Sequence, residues 1–164
     1  MTPQSQAIAH ECQNQAESCL YTSTSLFIWL RRARWYNRIL NFLQIFAGAA
    51  ASAAALKQFP IIAAFIAFLA GVLPSIYHKL NLSQHITEIE SHAGHYKNLQ
   101  DRFRQAAAII ALDDNPDSLK AEFSSLMRLM EDLRAKPITA PEWCFLEAQK
   151  KIKAGHYDFD PVKS

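Results

Sequence analysis

The sequence predicts an all-α fold: an integral membrane helical hairpin of two transmembrane helices, joined to a cytoplasmic helical module that is in part coiled coil. Three observations lead there. Two apolar runs, Ile39 to Leu56 and Phe59 to Tyr77, are parted by the short break Lys57-Gln58-Phe59-Pro60, and Lys57 is the only charge between Arg38 and Lys79. At about 1.5 Å per residue the runs cover roughly 27 and 28 Å, close to the hydrocarbon thickness of a bilayer. Basic and aromatic residues crowd the start of the first run, and the rest of the chain shows helical periodicity with no strand pattern. The 164 residues divide into an N-terminal amphipathic segment (1–35), the hairpin (36–79) and the cytoplasmic helices (80–164).

The first segment opens with Thr2-Pro3, a helix start with Thr as N-cap and Pro at the first helical position. Ile8, Cys12, Ala16, Cys19, Phe27 and Leu30 follow at helical spacing. The run Tyr21-Thr22-Ser23-Thr24-Ser25 is a poor helix interior, because β-branched and hydroxyl residues compete with the helix, and a kink or break is expected there. Met1 to Tyr21 has neither the basic start nor the apolar core of a signal peptide.

In the hairpin, the short connection forces the helices antiparallel and places both termini on one side. Arg31, Arg32, Arg34 and Arg38 before the first span and Lys79 after the second make that side the cytoplasm. Trp29, Trp35, Tyr36 and Tyr77 are placed as an interfacial belt, and the arginines attract anionic headgroups. The expected interface anchors are thus Trp29, Arg31, Arg32, Arg34, Trp35, Tyr36, Tyr77 and Lys79. Asn37, Asn41, Gln44, Gly48, Ser52 and Ala55 advance by three or four residues along one narrow face of the first span. Ala63, Ala67, Ala70, Gly71 and Pro74 make a similar small-residue stripe on the second, where close helix approach is expected. The opposite faces, with Ile39, Phe42, Leu43 and Phe46 on one helix and Ile61, Phe65 and Phe68 on the other, suit lipid. Asn37, Asn41, Gln44, Gly48, Ser52, Ala63, Ala67 and Gly71 are the candidate face for pore lining or helix packing.

Beyond the hairpin, Asn81 or Ser83 can cap a long helix in which Ile89, Tyr96, Phe103 and Ile110 repeat every seventh residue, with Ile86, Ala93, Gln100 and Ala107 as partners. That is a short coiled-coil seam. Asp113-Asp114-Asn115-Pro116 ends it and starts a helix carrying Leu119, Phe123, Leu126, Met130 and Leu133, up to Lys136-Pro137. Thr139 and Glu142 have capping-box spacing for a last helix through Trp143, Leu146 and Ile152, which Gly155 should terminate.

Composition narrows the chemistry. A net charge of +2 gives no nucleic-acid surface, and the arginine cluster has the adjacent membrane to explain it. Of the three cysteines, Cys12 and Cys19 are about 10.5 Å apart along one helix, too far to bridge, so a reducing compartment is expected. His85, Glu88, His92 and His95 share a helical face but match no strong metal motif. Cys144 with His156 lacks an orienting third group. Four glycines form no phosphate loop. The residues point to no enzyme, no cofactor and no metal.

The layout of the basic aromatic stretch Trp29-Leu30-Arg31-Arg32-Ala33-Arg34-Trp35-Tyr36, the hairpin, the long helix with Tyr96 to Phe103, and the ending Trp143 to Gly155-His156-Tyr157 resembles the SLATT family. These are prokaryotic two-transmembrane effector domains associated with nucleotide-signalling conflict systems, and the resemblance covers nearly the whole chain. It implies an antiviral effector of the inner membrane that oligomerises into a pore, killing or arresting the cell. The chain carries no fused sensor or nucleotide synthase, so the resemblance also implies a trigger from a separately encoded sensor or nucleotide-signalling protein. It supplies no catalytic residues. Two other readings compete: a passive membrane anchor that presents the helical module to a partner, and a soluble bundle. Asn41 and Gln44 separate effector from anchor, since an anchor has no need of amides in the bilayer whereas a channel needs a wettable face.

Overall fold

The computed structural model describes residues 3–56, 61, 64–68, 71–72, 82–108, 116–136 and 138–157, with backbone alone at 44, 51–56, 82 and 116. Every regular element among them is a helix, and the protein is all-α. The helices with complete bounds are α1 (Pro3–Leu56), α2 (Leu82–Ala108), α3 (Pro116–Ala135) and α4 (Glu142–Lys153). Two compact units share the chain: Met1–Trp29 with Ile89–Ser164, and Leu30–Glu88.

The first unit is a helical module. Along α1, Cys12, Ala16 and Cys19 of the expected stripe are buried, together with Ala9, against Leu99, Phe103 and Ala106 of α2 and Leu119, Leu126 and Met130 of α3, while Ile8 is half-buried at the edge and Phe27 is exposed. Small side chains on α1 let the larger ones of its neighbours fill the space at interior density. Phe103 is wholly buried and meets Phe123 edge to face at 6.3 Å between ring centroids. The seven-residue seam is therefore covered inside the chain: Ile89, Ala93, Gln100 and Phe103 are buried and Tyr96 and Ala107 half-buried, while Ile110 lies outside the described residues. Arg102 Nη2 donates to Glu122 Oε1 at 2.6 Å, tying α2 to α3 at the edge of this core.

The expected break at Tyr21–Ser25 does not occur, because α1 is helical throughout. Thr22 Oγ1 donates to the Ser18 carbonyl at 3.0 Å, Ser23 Oγ to that of Leu20 at 3.2 Å and Ser25 Oγ to that of Thr22 at 2.8 Å. These hydroxyls find acceptors one turn back without leaving the helix. Ser23, Thr24 and Ser25 are then small enough to be buried with Leu26.

Helix α4 packs Cys144 and Ala148 against Ile28 of α1, with Trp29 and Ala140 at the edge, and Phe145 lies 6.1 Å from the Tyr21 ring. The expected capping box is absent: Pro141 holds the N-cap position at φ −54 and ψ 149, and no side chain caps the helix. Proline supplies the extended pre-helical geometry by its fixed φ, and its carbonyl accepts from the Cys144 N–H at 2.9 Å. The other end matches the sequence. Gly155 has φ 77, its N–H donates to the Ile152 carbonyl at 3.0 Å and that of His156 to the Lys151 carbonyl at 3.3 Å. This is a Schellman stop, whose left-handed residue favours glycine.

The second unit contains the rest of α1, the described helical residues Ile61, 64–68 and 71–72, and the first turns of α2. Its described apolar side chains are mostly exposed, including Phe42, Leu43, Ile45, Phe46, Ile61, Phe65 and Phe68. Asn81, Ala55, Ala70, Pro74 and the break Lys57 to Pro60 belong to the sequence reading but lie outside the described residues or, at Ala55, their described side chains.

Candidate membrane-interaction surface

The surface begins where α1 leaves the first unit. Leu30 is buried, and from Arg31 to Ala50 most of the described side chains are exposed. Arg31, Arg32, Arg34 and Arg38 project along two turns, and Trp35 and Tyr36 stand among them as an edge-to-face pair 5.2 Å apart, both more than half exposed. Amphipathic rings beside guanidinium groups are the chemistry of a headgroup layer. Trp29 is a correction to the expected belt: it is half-buried and packs on the Ile28, Cys144 and Ala148 cluster, because α4 covers that side of α1. Trp35 and Tyr36 of the expected belt are exposed, and Tyr77 and Lys79 lie outside the described residues.

One turn further, Ile39, Phe42, Leu43, Ile45 and Phe46 are exposed by 40, 55, 51, 69 and 68%. Single exposed apolar residues are ordinary, but a contiguous set of this size is a surface that requires cover. The small and polar face lies beside it. Asn37 is half-buried, Asn41 and Gly48 are exposed, and Ala67 and Gly71 are exposed in the later helical segment. The side chains of Gln44 and Ser52, and Ala63 altogether, lie outside what is described. A Cβ built on Gly48 or on Gly71 would meet nothing within 4 Å among the described residues. Among the described residues, no helix is long and apolar enough to cross a membrane.

The other candidates from the sequence do not assemble. Cys144 is wholly buried against Ile28 and Ala148, whereas His156 is exposed. His85 Nδ1 stands 3.4 Å from Glu88 Oε2 on an exposed helix face, and no group of three metal-ligating side chains forms among the described residues. Burial pushes the Cys12 and Cys19 thiols up to about 11, the opposite of an activated nucleophile.

Sequence reasoning missed a cleft of about 540 Å³ in the helical module, where Arg134 and Glu142 share walls with Tyr96 and Phe145. These residues come from separate helices and follow no common spacing. The only local signal was the hydroxyl run at Thr22 to Ser25, which was expected to break α1 and instead forms one wall. No family model, curated protein or solved structure matches this chain.

Proposed function

We propose that the chain is a membrane effector of a prokaryotic antiviral system: hairpin 36–79 inserts into the inner membrane with both termini cytoplasmic, and copies assemble into a pore when a separately encoded sensor or nucleotide signal triggers them. The observation that carries this reading is the exposed face of Ile39, Phe42, Leu43, Ile45 and Phe46 on α1, directly after an exposed Trp35–Tyr36 pair set among arginines. That face continues a run with no charge from Ile39 to Leu56, about 27 Å of helix, and hydrocarbon is the cover that such a run fits. One hairpin encloses nothing, so a conducting path needs several copies. Asn41, exposed on the adjacent face, and Gln44 one turn later would then be satisfied by lumen water rather than stranded in lipid. The resemblance to SLATT effectors supports the trigger and the outcome for the cell.

A passive anchor is the second reading, and one observation favours it: the seam at Ile89 to Phe103 is covered within the chain, so the helical module has no need of a second copy to complete its core. Expression with and without the genomic neighbours, followed by membrane potential and viability, separates the two. An effector depolarises the cell when triggered; an anchor does not. Membrane insertion is read independently, as retention in the membrane fraction after a carbonate wash, and a periplasmic reporter active at either terminus would contradict the topology. Gln44→Leu should keep insertion while reducing depolarisation, since a leucine lining is harder to wet. Phe46→Leu is the control on the apolar face. If Gln44→Leu keeps full activity and Phe46→Leu loses it, the pore face is elsewhere.

A further inference from the structure

The cleft in the helical module lies between the α1 turn at Thr22 to Leu26, Tyr96 of α2, Arg134 at the end of α3, and the segment from Ile138 into the first turns of α4. Its volume, about 540 Å³, is within the ordinary range for small-ligand sites. Leu26, Ile138, Ala140 and Phe145 give it an apolar floor and wall, and Leu26 is itself fully buried and fixed by packing.

The charges are the informative part. Arg134 and Glu142 line the same cleft, yet they form no ion pair, and among the described residues neither makes a side-chain hydrogen bond. A guanidinium and a carboxylate that face one small space without meeting leave room for a molecule carrying both complementary charges. The hydroxyls sharpen this. Thr22 and Ser25 already donate their protons to backbone carbonyls of α1, so toward the cleft they offer lone pairs, which accept from ligand N–H groups.

We propose that this cleft binds a short zwitterionic peptide with apolar side chains, its carboxylate on Arg134, its ammonium on Glu142 and its side chains on Leu26, Ile138 and Phe145. A dipeptide suits the cleft's volume of about 540 Å³ and carries both charges. The two charged side chains stand beyond ion-pair distance, and an added peptide unit separates a ligand's own charges by roughly another 3.5 Å. It also brings an N–H for the Thr22 and Ser25 oxygens. The proposal does not depend on the membrane reading, because every residue it uses is in the helical module.

The test uses the full chain purified in detergent and the dipeptide Leu-Phe as probe, titrated by calorimetry alongside phenylalanine, N-acetyl-Leu-Phe and Leu-Phe-amide. Leu-Phe should bind saturably and more tightly than phenylalanine, and each cap, by removing one charge, should weaken it by about tenfold or more. Arg134→Gln should abolish the penalty for amidation and Glu142→Gln the penalty for acetylation, since the matching charge is gone. Both positions are exposed, and unchanged circular dichroism melts would show that the module stays folded. Absence of saturable binding at about 10 mM, capped peptides binding as well as the free one, or variants that bind like the parent would each overturn the proposal.

Discussion

Helix α1 runs through both units of the protein, and its two parts solve opposite problems with one backbone geometry. In the first unit its buried stripe is Ala9, Cys12, Ala16 and Cys19, all small, because α2 and α3 supply Phe103, Leu126 and Met130 to fill the contact. In the second unit Ile39, Phe42, Leu43, Ile45 and Phe46 are large, and each stays exposed among the described residues. Small buried residues record a neighbour that is present in the same chain. Large exposed ones are what the proposed membrane reading must account for, since hydrocarbon covers such side chains without needing a complementary shape.

The sharpest way to break that comparison is to place the same substitution in each unit. Phe103→Asp puts a carboxylate where a wholly buried ring packs on Phe123 and the α1 stripe. Losing a core phenylalanine costs about 3–5 kcal/mol before the charge is counted, which is comparable to the whole stability of a small module. The cooperative thermal transition in circular dichroism should disappear. A variant that melts like the parent would show that α1, α2 and α3 do not share the core described here.

Phe46→Asp is the counterpart and should do the reverse. An exposed site changes stability by no more than about 0.5 kcal/mol, so the module's melt should be unchanged. In a bilayer the same carboxylate costs roughly 2.5–3.5 kcal/mol near the centre of a span. The expected result is a folded protein that leaves the membrane fraction in a carbonate wash. Should Phe46→Asp stay fully membrane-bound, the α1 face is covered by something other than lipid.

How far the sequence disclosed this depends on whether an element is specified locally. The three-and-four stripe from Cys12 to Cys19, the seam through Ile89 and Phe103, and the stop at Gly155 were all legible, since each rests on periodicity or on a residue with one favoured backbone role. The hydroxyl run at Thr22 to Ser25 misled, because intrinsic propensity was overridden by hydrogen bonds one turn back and by burial beside Leu26. The Thr139 box failed for a related reason: Pro141 intervenes and becomes the N-cap itself. Trp29 read as a membrane anchor by its neighbours in sequence, whereas its neighbours in space are Cys144 and Ala148. The cleft could not be read at all. Its charged walls are contributed by helices whose meeting is a tertiary event, and Arg134 and Glu142 each pass locally for a charge that complements a helix end.

The smallest expected effect sharpens the buried side of the comparison through pH. Burial is the main cause that raises Cys12 and Cys19 from the ordinary thiol value of 9.0 to about 11. Glu11 and Glu122 add to the rise at Cys12, whereas Arg134 opposes it at Cys19. A thiol with a raised folded-state value holds its proton more tightly in the native protein than in the unfolded chain. Its contribution to stability is therefore complete below pH 9.0 and is lost as pH climbs toward about 11, because the unfolded chain gains thiolate that the core refuses. Denaturant midpoints should accordingly be insensitive to these thiols at neutral pH and fall through that alkaline window. Replacing both residues by alanine removes the titrating groups from a stripe that is already Ala-rich, so the alkaline fall should become shallower. Part of the slope should persist, since burial also raises Tyr96 from 10.0 and its loss follows the same sign. If the double variant and the parent lose stability in parallel from pH 9 to 11, the thiols of α1 do not titrate from inside the core, and the small-residue stripe is wetter than its burial indicates.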